Sequence, residues 1–307
     1  MSLLQFKTVT LCDKSWVDPI VMAENSPSAD YNFGNIYIWD KFYKQLICRF
    51  EDRMITKLRY EGERAFVFPI GSGPLRPAIE ALRVFCKEKG YPLLLRGVTE
   101  KHCQELEDAF PGRFTFELEE NLADYIYSAE KLATYSGKAL HGKKNHCNRF
   151  EAEHDWRFVP LTRELIPGCL DMMVVWNEEN RDRLDSSIRY EHDALIRAFA
   201  AYERLGLEGG VLYADEKIVG FSLGEMASSD TFDVHFEKAE IAMNGAYPMV
   251  CRELTRMLMD KYPALAYMNR EDDMGLDALR QSKLSYKPEY LLEKYIAREN
   301  DENDRDP

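Results

Sequence analysis

The stretch Thr231–Tyr295 places the tightest limits on what this chain can fold into. It opens on strict alternation, Phe232, Val234 and Phe236 interleaving with Asp233, His235 and Glu237. A strand repeats every two residues, so the segment reads as a β-strand with one apolar face and one face bearing two carboxylates and an imidazole. A glycine-containing turn follows, then a helix over 248–261. A short apolar run from Leu265 to Met268 leads into a polar cluster, Asn269 to Asp273, and a second helix bearing Arg280 and Lys283. A last strand holds Lys294 and Tyr295.

The first half repeats this order. Gln45 to Ile70 reads as strands with polar turns, GSGP (71–74) breaks the pattern, and a helix over 76–89 is ended by Gly90. A buried strand (92–98) and a short amphipathic helix (99–109) come next. Leu93 and Leu265 hold matching places roughly 170 residues apart, far beyond a solenoid period. The reading is an α/β (α+β) protein of two duplicated domains with mixed central sheets. The expected division is an N-terminal domain over 1–130, a basic helical connector over 131–160, a C-terminal domain over 161–297, and a disordered acidic tail over 298–307.

Composition narrows the class. The 307 residues suit two domains, and a net charge of −13 argues against broad, non-specific nucleic-acid binding. No apolar run approaches the ~20 residues of a bilayer crossing, and the N-terminus is too weakly apolar for a signal peptide. Seven cysteines stand singly with no CxxC, so reduced thiols in a cytoplasmic protein are expected, with neither a zinc site nor disulfides.

Five groups could carry chemistry. Asp233, His235 and Glu237 could supply a general base, although a solvated outer sheet face shows the same alternation. Asn269, Arg270, Glu271 and Asp272, with Arg280 and Lys283, follow a strand end where ligands bind in open α/β sheets. Helix capping by Asp272 or Asp273 would account for the acids as well. The segment 131–150 holds Lys138, His141, Lys143, Lys144 and Arg149 and no acid. It reads as a positive ridge for phosphates or RNA, or else as a linker helix pairing with the protein's own acids. The turns at 71–74 and 244–248 could cradle an anion, or simply be tight. Lys294 and Tyr295 could stabilise an oxyanion, or be structural.

Three segments, DYIYSAEKLATYSGKALHGKKNHCNRF, VHFEKAEIAMNGAYP and MNREDDMGLDALRQSKLSYKPEYLLEKY, together resemble the phosphatidylglycerol lysyltransferase C-terminal domain family, and more closely its soluble bacterial members. The resemblance implies two tandem GNAT-like (acetyltransferase-type) folds. It also implies a module that takes an aminoacyl group from tRNA and passes it to an acceptor. Carried over, Asp233 lies in the acidic strand motif and Glu293, Lys294 and Tyr295 match a terminal Lys-Tyr motif. Both motifs line the acceptor or aminoacyl pocket, and 138–149 would face tRNA.

The chain also departs from the family. It has no multi-span membrane domain, which leaves the acceptor open among a small molecule, a peptide and a lipid. Phe236 and Glu237 stand where the family's strand motif continues into arginine. Ala242 and Phe68 occupy the places where coenzyme A enzymes of this fold carry Arg or Gln, which disfavours acetyl-CoA as a cofactor. The expected function is aminoacyl transfer from aminoacyl-tRNA to an amine or hydroxyl. The alternatives are an acyl-CoA-dependent N-acyltransferase and a non-catalytic binding module.

Overall fold

A computed structural model describes residues 4–60, 62–179 and 186–300. The tail beyond residue 300 therefore lies outside the described residues. The chain forms two compact units: the residues up to Ala123 together with those from Leu292 onward, and Asp124–Leu291.

The first unit runs β1 (Lys7–Thr8), α1 (Lys14–Glu24), α2 (Phe33–Tyr43), β2 (Leu46–Phe50), β3 (Arg53–Tyr60), β4 (Glu63–Val67), β5 (Ile70–Gly71), α3 (Leu75–Lys89), β6 (Leu94–Val98), α4 (Glu100–Ala109) and β7 (Phe114–Leu118). The second runs β8 (Asp124–Ser128), α5 (Ala129–Thr134), α6 (His141–Glu153), β9 (Trp156–Pro160), α7 (Ile166–Glu179), α8 (Ser186–Ala200), α9 (Tyr202–Leu205), β10 (Glu208–Ala214), β11 (Lys217–Met226), β12 (Thr231–Ala239), α10 (Ala246–Lys261), β13 (Tyr267–Asn269), α11 (Asp277–Ser285) and β14 (Tyr290–Leu292). The chain then closes on β15 (Tyr295–Glu299).

Both sheets are mixed and built to one plan. The first has the order β1-β2-β3-β4-β6-β15-β7, with β5 on β3, and the second β14-β8-β13-β12-β11-β10-β9. Each contains an antiparallel meander, β2–β3–β4 or β10–β11–β12. In each, the third strand pairs in parallel with the strand beyond a helix: β4 with β6 across α3, β12 with β13 across α10. That next strand then pairs antiparallel with an exchanged one. β15, after the second unit in sequence, pairs with β6 and β7; β8, which follows the first unit, pairs with β13.

This exchange corrects the expected boundaries. Residues 124–128 are a strand of the second sheet, and Tyr295–Glu299 belongs to the first. Period-two alternation says which face a residue takes and not which strand lies beside it, so the sequence could not reveal the swap. Residues 131–160 are likewise no free connector. Leu132, Tyr135, Leu140, Cys147 and Phe150 are buried with Met249, Cys251 and Leu254 of α10 in the second unit's core. Local signals fared better. Gly90 ends α3 in a left-handed conformation, and the β10–β11 hairpin turns on Asp215 and Glu216, both at positive φ.

Candidate functional site

Strand β12 is buried along almost its whole length, on both faces. The solvated-face alternative therefore does not hold. Glu225 on β11, Asp233 on β12 and Asn269 on β13 stand in one cross-strand row, Glu225 opposite Asp233 and Asp233 opposite Asn269. Gly224 lets the strands close up, since a Cβ there would lie 1.8 Å from the Asp233 carbonyl oxygen. Between Phe236 and Val234, β12 carries one residue more than β11, and that residue is His235. A bulge of this kind re-aims the extra side chain.

The re-aimed imidazole enters a ring of carboxyl groups. Nδ1 donates to Glu271 Oε1 at 3.0 Å and lies 3.5 Å from Asp233 Oδ2, while Nε2 donates to Glu225 Oε1 at 3.1 Å. Burial alone would disfavour the charged ring. The charge of Asp233 and the hydrogen bonds to Glu225 and Glu271 outweigh it and hold the His235 pKa well above its ordinary value. Three carboxyl groups thus surround one imidazole ring. Asp233 and His235 have no exposed side-chain surface, whereas Glu271 keeps 23% of its own. Glu271 is thus the member a ligand can reach. Its backbone is at φ 55°, pinned by a 2.7 Å bond from its N–H to Asn269 Oδ1. Asp233, His235 and Glu271 have the donor types of a metal site, their ligand atoms within 4.8 Å of one another. A metal there would have to displace the Nδ1 proton, which now lies between the ring and Glu271.

A second, mostly cationic group adjoins this one along the chain. Glu237 Oε1 accepts from Arg270 Nη2 at 2.6 Å. The Arg270 guanidinium lies over the rings of Tyr286 and Tyr127, at 4.4 and 5.6 Å, and its buried Nη1 has no hydrogen-bond partner. Lys143 Nζ sits 3.7 Å from the Tyr286 ring centroid. Buried Lys283 donates to the carbonyl oxygens of Arg270 and of Glu271, the latter at 3.1 Å. Burial raises the Glu237 pKa, with the charges of Arg270, Lys283 and Lys143 acting the other way.

The structure therefore brings together Asp233, His235, Glu237, Asn269, Arg270, Glu271, Lys283 and Lys143, all in the second unit. Lys294 and Tyr295 are not among them. They go with β15 into the first unit, where buried Lys294 pairs with Asp30 at 3.0 Å and the Tyr295 hydroxyl donates to Glu293 at 2.7 Å. That bond, followed by burial, pushes the Tyr295 pKa up to about 12. Arg280 is engaged by Asp273 at 2.8 Å, which also accepts from the Tyr125 hydroxyl at 2.6 Å. Asp272 accepts from the Met274 N–H at 2.8 Å, and α11 starts after Leu276 with no side-chain cap. Neither acid caps that helix. Within the basic segment, Lys138, His141, Lys144 and Arg149 are exposed; Arg149 pairs with Glu153 at 2.7 Å and His141 contacts Asn145. Lys143 alone turns inward.

Sequence reasoning missed Glu225, Asp124 and Tyr286. Asp124 Oδ2 accepts from Asn269 Nδ2 at 3.1 Å, from the exchanged strand. Glu225 had a signal, as the acid ending the mostly apolar run of β11, but its partner depended on register. Each glycine turn packs closely against a neighbouring element. Gly71 N–H donates to Glu24 Oε2 at 3.2 Å, and the His146 carbonyl oxygen lies 2.5 Å from where a Cβ on Gly245 would be.

Residues 24–298 match the family described as phosphatidylglycerol lysyltransferase, C-terminal. A crystal structure of a conserved protein of unknown function from Bacteroides thetaiotaomicron is 33% identical, with a TM-score of 0.91 over 97% of this chain and 100% of that one. The structure of L-PGS from Bacillus licheniformis is 18% identical, with a TM-score of 0.59 over 83% of this chain and 84% of the other, a likeness of fold. An uncharacterized protein of Mycoplasmoides gallisepticum is 29% identical over 185 residues, which span 59% of this chain and 58% of that relative's length. Among the described residues no helix is long and apolar enough to cross a membrane.

Proposed function

Because the chain belongs to the phosphatidylglycerol lysyltransferase C-terminal family, we propose that its second unit transfers an aminoacyl group from aminoacyl-tRNA to an amine or hydroxyl acceptor. One observation carries this reading: a partly exposed carboxylate, Glu271, is backed by a buried imidazolium and two further carboxyl groups. The clustered carboxyl groups suit the ammonium of an aminoacyl group, and the fixed geometry spares reorganisation when it binds.

Glu237, the carboxylate whose pKa burial raises, takes the proton as the acceptor N–H or O–H attacks the ester carbonyl. Arg270, with Lys143 beside it, faces the negative charge that builds on the carbonyl oxygen. The ester C–O bond then breaks, and the tRNA ribose hydroxyl leaves with the proton Glu237 had taken. Lys138, His141, Lys144 and Arg149 remain exposed to meet the RNA backbone. A coenzyme A donor fits less well, because Ala242 and Phe68 stand where enzymes of this fold that use it carry Arg or Gln.

The test is transfer of radiolabel from charged tRNAs, supplied as a pool, to mixed amine and hydroxyl acceptors. Label that leaves tRNA with the wild-type protein and stays with Glu237→Gln supports the proposal. A wild-type protein that leaves every charged tRNA intact overturns it.

A further inference from the structure

A separate feature of the first unit is unrelated to the transfer chemistry. A cavity of about 700 Å³ is lined by six cationic side chains, Lys41, Lys44, Lys57, Arg59, Arg64 and Lys89, and by a single acid, Asp40. In a chain with a net charge of −13 this is a marked local excess of positive charge. None of the six makes an ion pair among the described residues.

Part of the excess has an ordinary explanation. Lys41, Lys44 and Lys89 lie at the C-terminal ends of α2 and α3, where cations complement the helix dipole. Lys57, Arg59 and Arg64 do not. They belong to the β3–β4 hairpin, where Arg59 stands directly opposite Arg64. Like charges in a cross-strand pair destabilise the hairpin unless something neutralises them. Lys57, on the same strand face, is partly buried with its Nζ 5.3 Å from the Phe85 ring. Burial, and then the charges of Arg64, Lys89 and Arg59, push its pKa down. Two buried polar atoms of lining residues, Gln45 Oε1 and Tyr91 Oη, have no hydrogen-bond partner. An acceptor and a hydroxyl left unmatched beneath a crowd of cations are costly in the absence of a ligand.

We propose that this cavity binds a small molecule carrying two or more phosphate groups. The volume of this partly open pocket falls within the ~300–1,000 Å³ range of small-molecule sites. The ring of lysines and arginines matches clustered phosphate charge, Arg59 and Arg64 presenting planar forks to phosphate oxygens.

Isothermal titration of the full chain with inorganic tripolyphosphate, adenosine 5′-triphosphate and orthophosphate tests the proposal. Affinity is expected to rise with the number of phosphates and to fall with added salt. The triple variant Lys57→Gln/Arg59→Gln/Arg64→Gln should bind the triphosphates at least ~10-fold more weakly, while Lys87→Gln, outside the cavity, should bind as the wild type does. No triphosphate binding, or binding that survives the triple variant, overturns the proposal. Binding of an RNA oligonucleotide or of anionic vesicles without any binding of triphosphate does so too. None of these results bears on aminoacyl transfer, so the two proposals fail separately.

Discussion

Each unit buries a histidine, and the two are surrounded in opposite ways. His102, in the first, has one acid: its Nε2 lies 3.1 Å from Glu24 Oε1. Its Nδ1 meets the hydroxyls of Thr99 and Tyr31 at 3.0 and 3.1 Å, and its ring stacks on Phe68 at 4.0 Å. Glu24 is shared further, accepting from Lys101 at 2.8 Å and from the Gly71 N–H. Every polar atom there has a partner within the unit, and the acid is matched by a lysine. The group therefore fastens α1 and α4 to the turn at Gly71. His235 has three carboxyl groups about it, those of Glu225, Asp233 and Glu271. A balanced buried group is explained by the fold alone. An acid-rich one, with one carboxylate partly exposed, is the better candidate for a ligand site.

The comparison is sharpest in activity. Glu237→Gln is expected to lower single-turnover aminoacyl transfer by roughly 10²–10⁴-fold, whereas Glu24→Gln should leave the rate per folded molecule unchanged. Equal losses in both variants would erase the distinction. In stability the largest change is expected at His235. Replacing it with glutamine leaves two buried carboxyl groups and a partly exposed one without their cation and should cost about 3–5 kcal/mol in urea unfolding. Glu24→Gln, which weakens bonds but strands no cluster of like charges, should cost about 1–3 kcal/mol.

The pH dependence of the two centres should also run in opposite directions. Hydrogen bonds from His102 and Lys101 outweigh burial and hold the Glu24 pKa at about 2, below the 4.5 of the free side chain. Its contribution is present above pH 4.5 and is lost as pH falls towards 2. The His235 pKa is raised in the folded state, so its contribution is complete below 6.5 and fades as pH climbs through the higher folded value. Melting curves across pH should show Glu24→Gln flattening the acid limb alone, and His235→Gln the alkaline limb alone. The smallest structural effect is expected from Lys138→Glu/Lys144→Glu, within about 0.5 kcal/mol of the wild type, with a measurable loss of affinity for charged tRNA in filter binding. Lys143 is the wrong residue for that test, since it lies over Tyr286.

Much of the fold was legible in the residue pattern. Alternation marked β12, Gly90 marked the end of α3, and the repeated order of elements marked two sheets of one plan. The polar residues of β12 and of 269–271 were also picked out, because local spacing fixes which side chains can share a face. Their mutual distances were not in the sequence. A single extra residue in β12 turns His235 into the carboxyl cluster, and register, not spacing, puts Glu225 opposite Asp233.

What the chain determined unaided is everything that depends on neighbours a few residues away: period, turns, helix ends and the runs of charge. Only the tertiary structure decided which strands exchange between the sheets. It carried Lys294 into the first unit, Lys143 inward, and the cations of α2, β3, β4 and α3 round one cavity. The reason is the same each time. Pairing between distant segments is set by the summed burial and hydrogen bonding of whole elements, and no local window holds that sum.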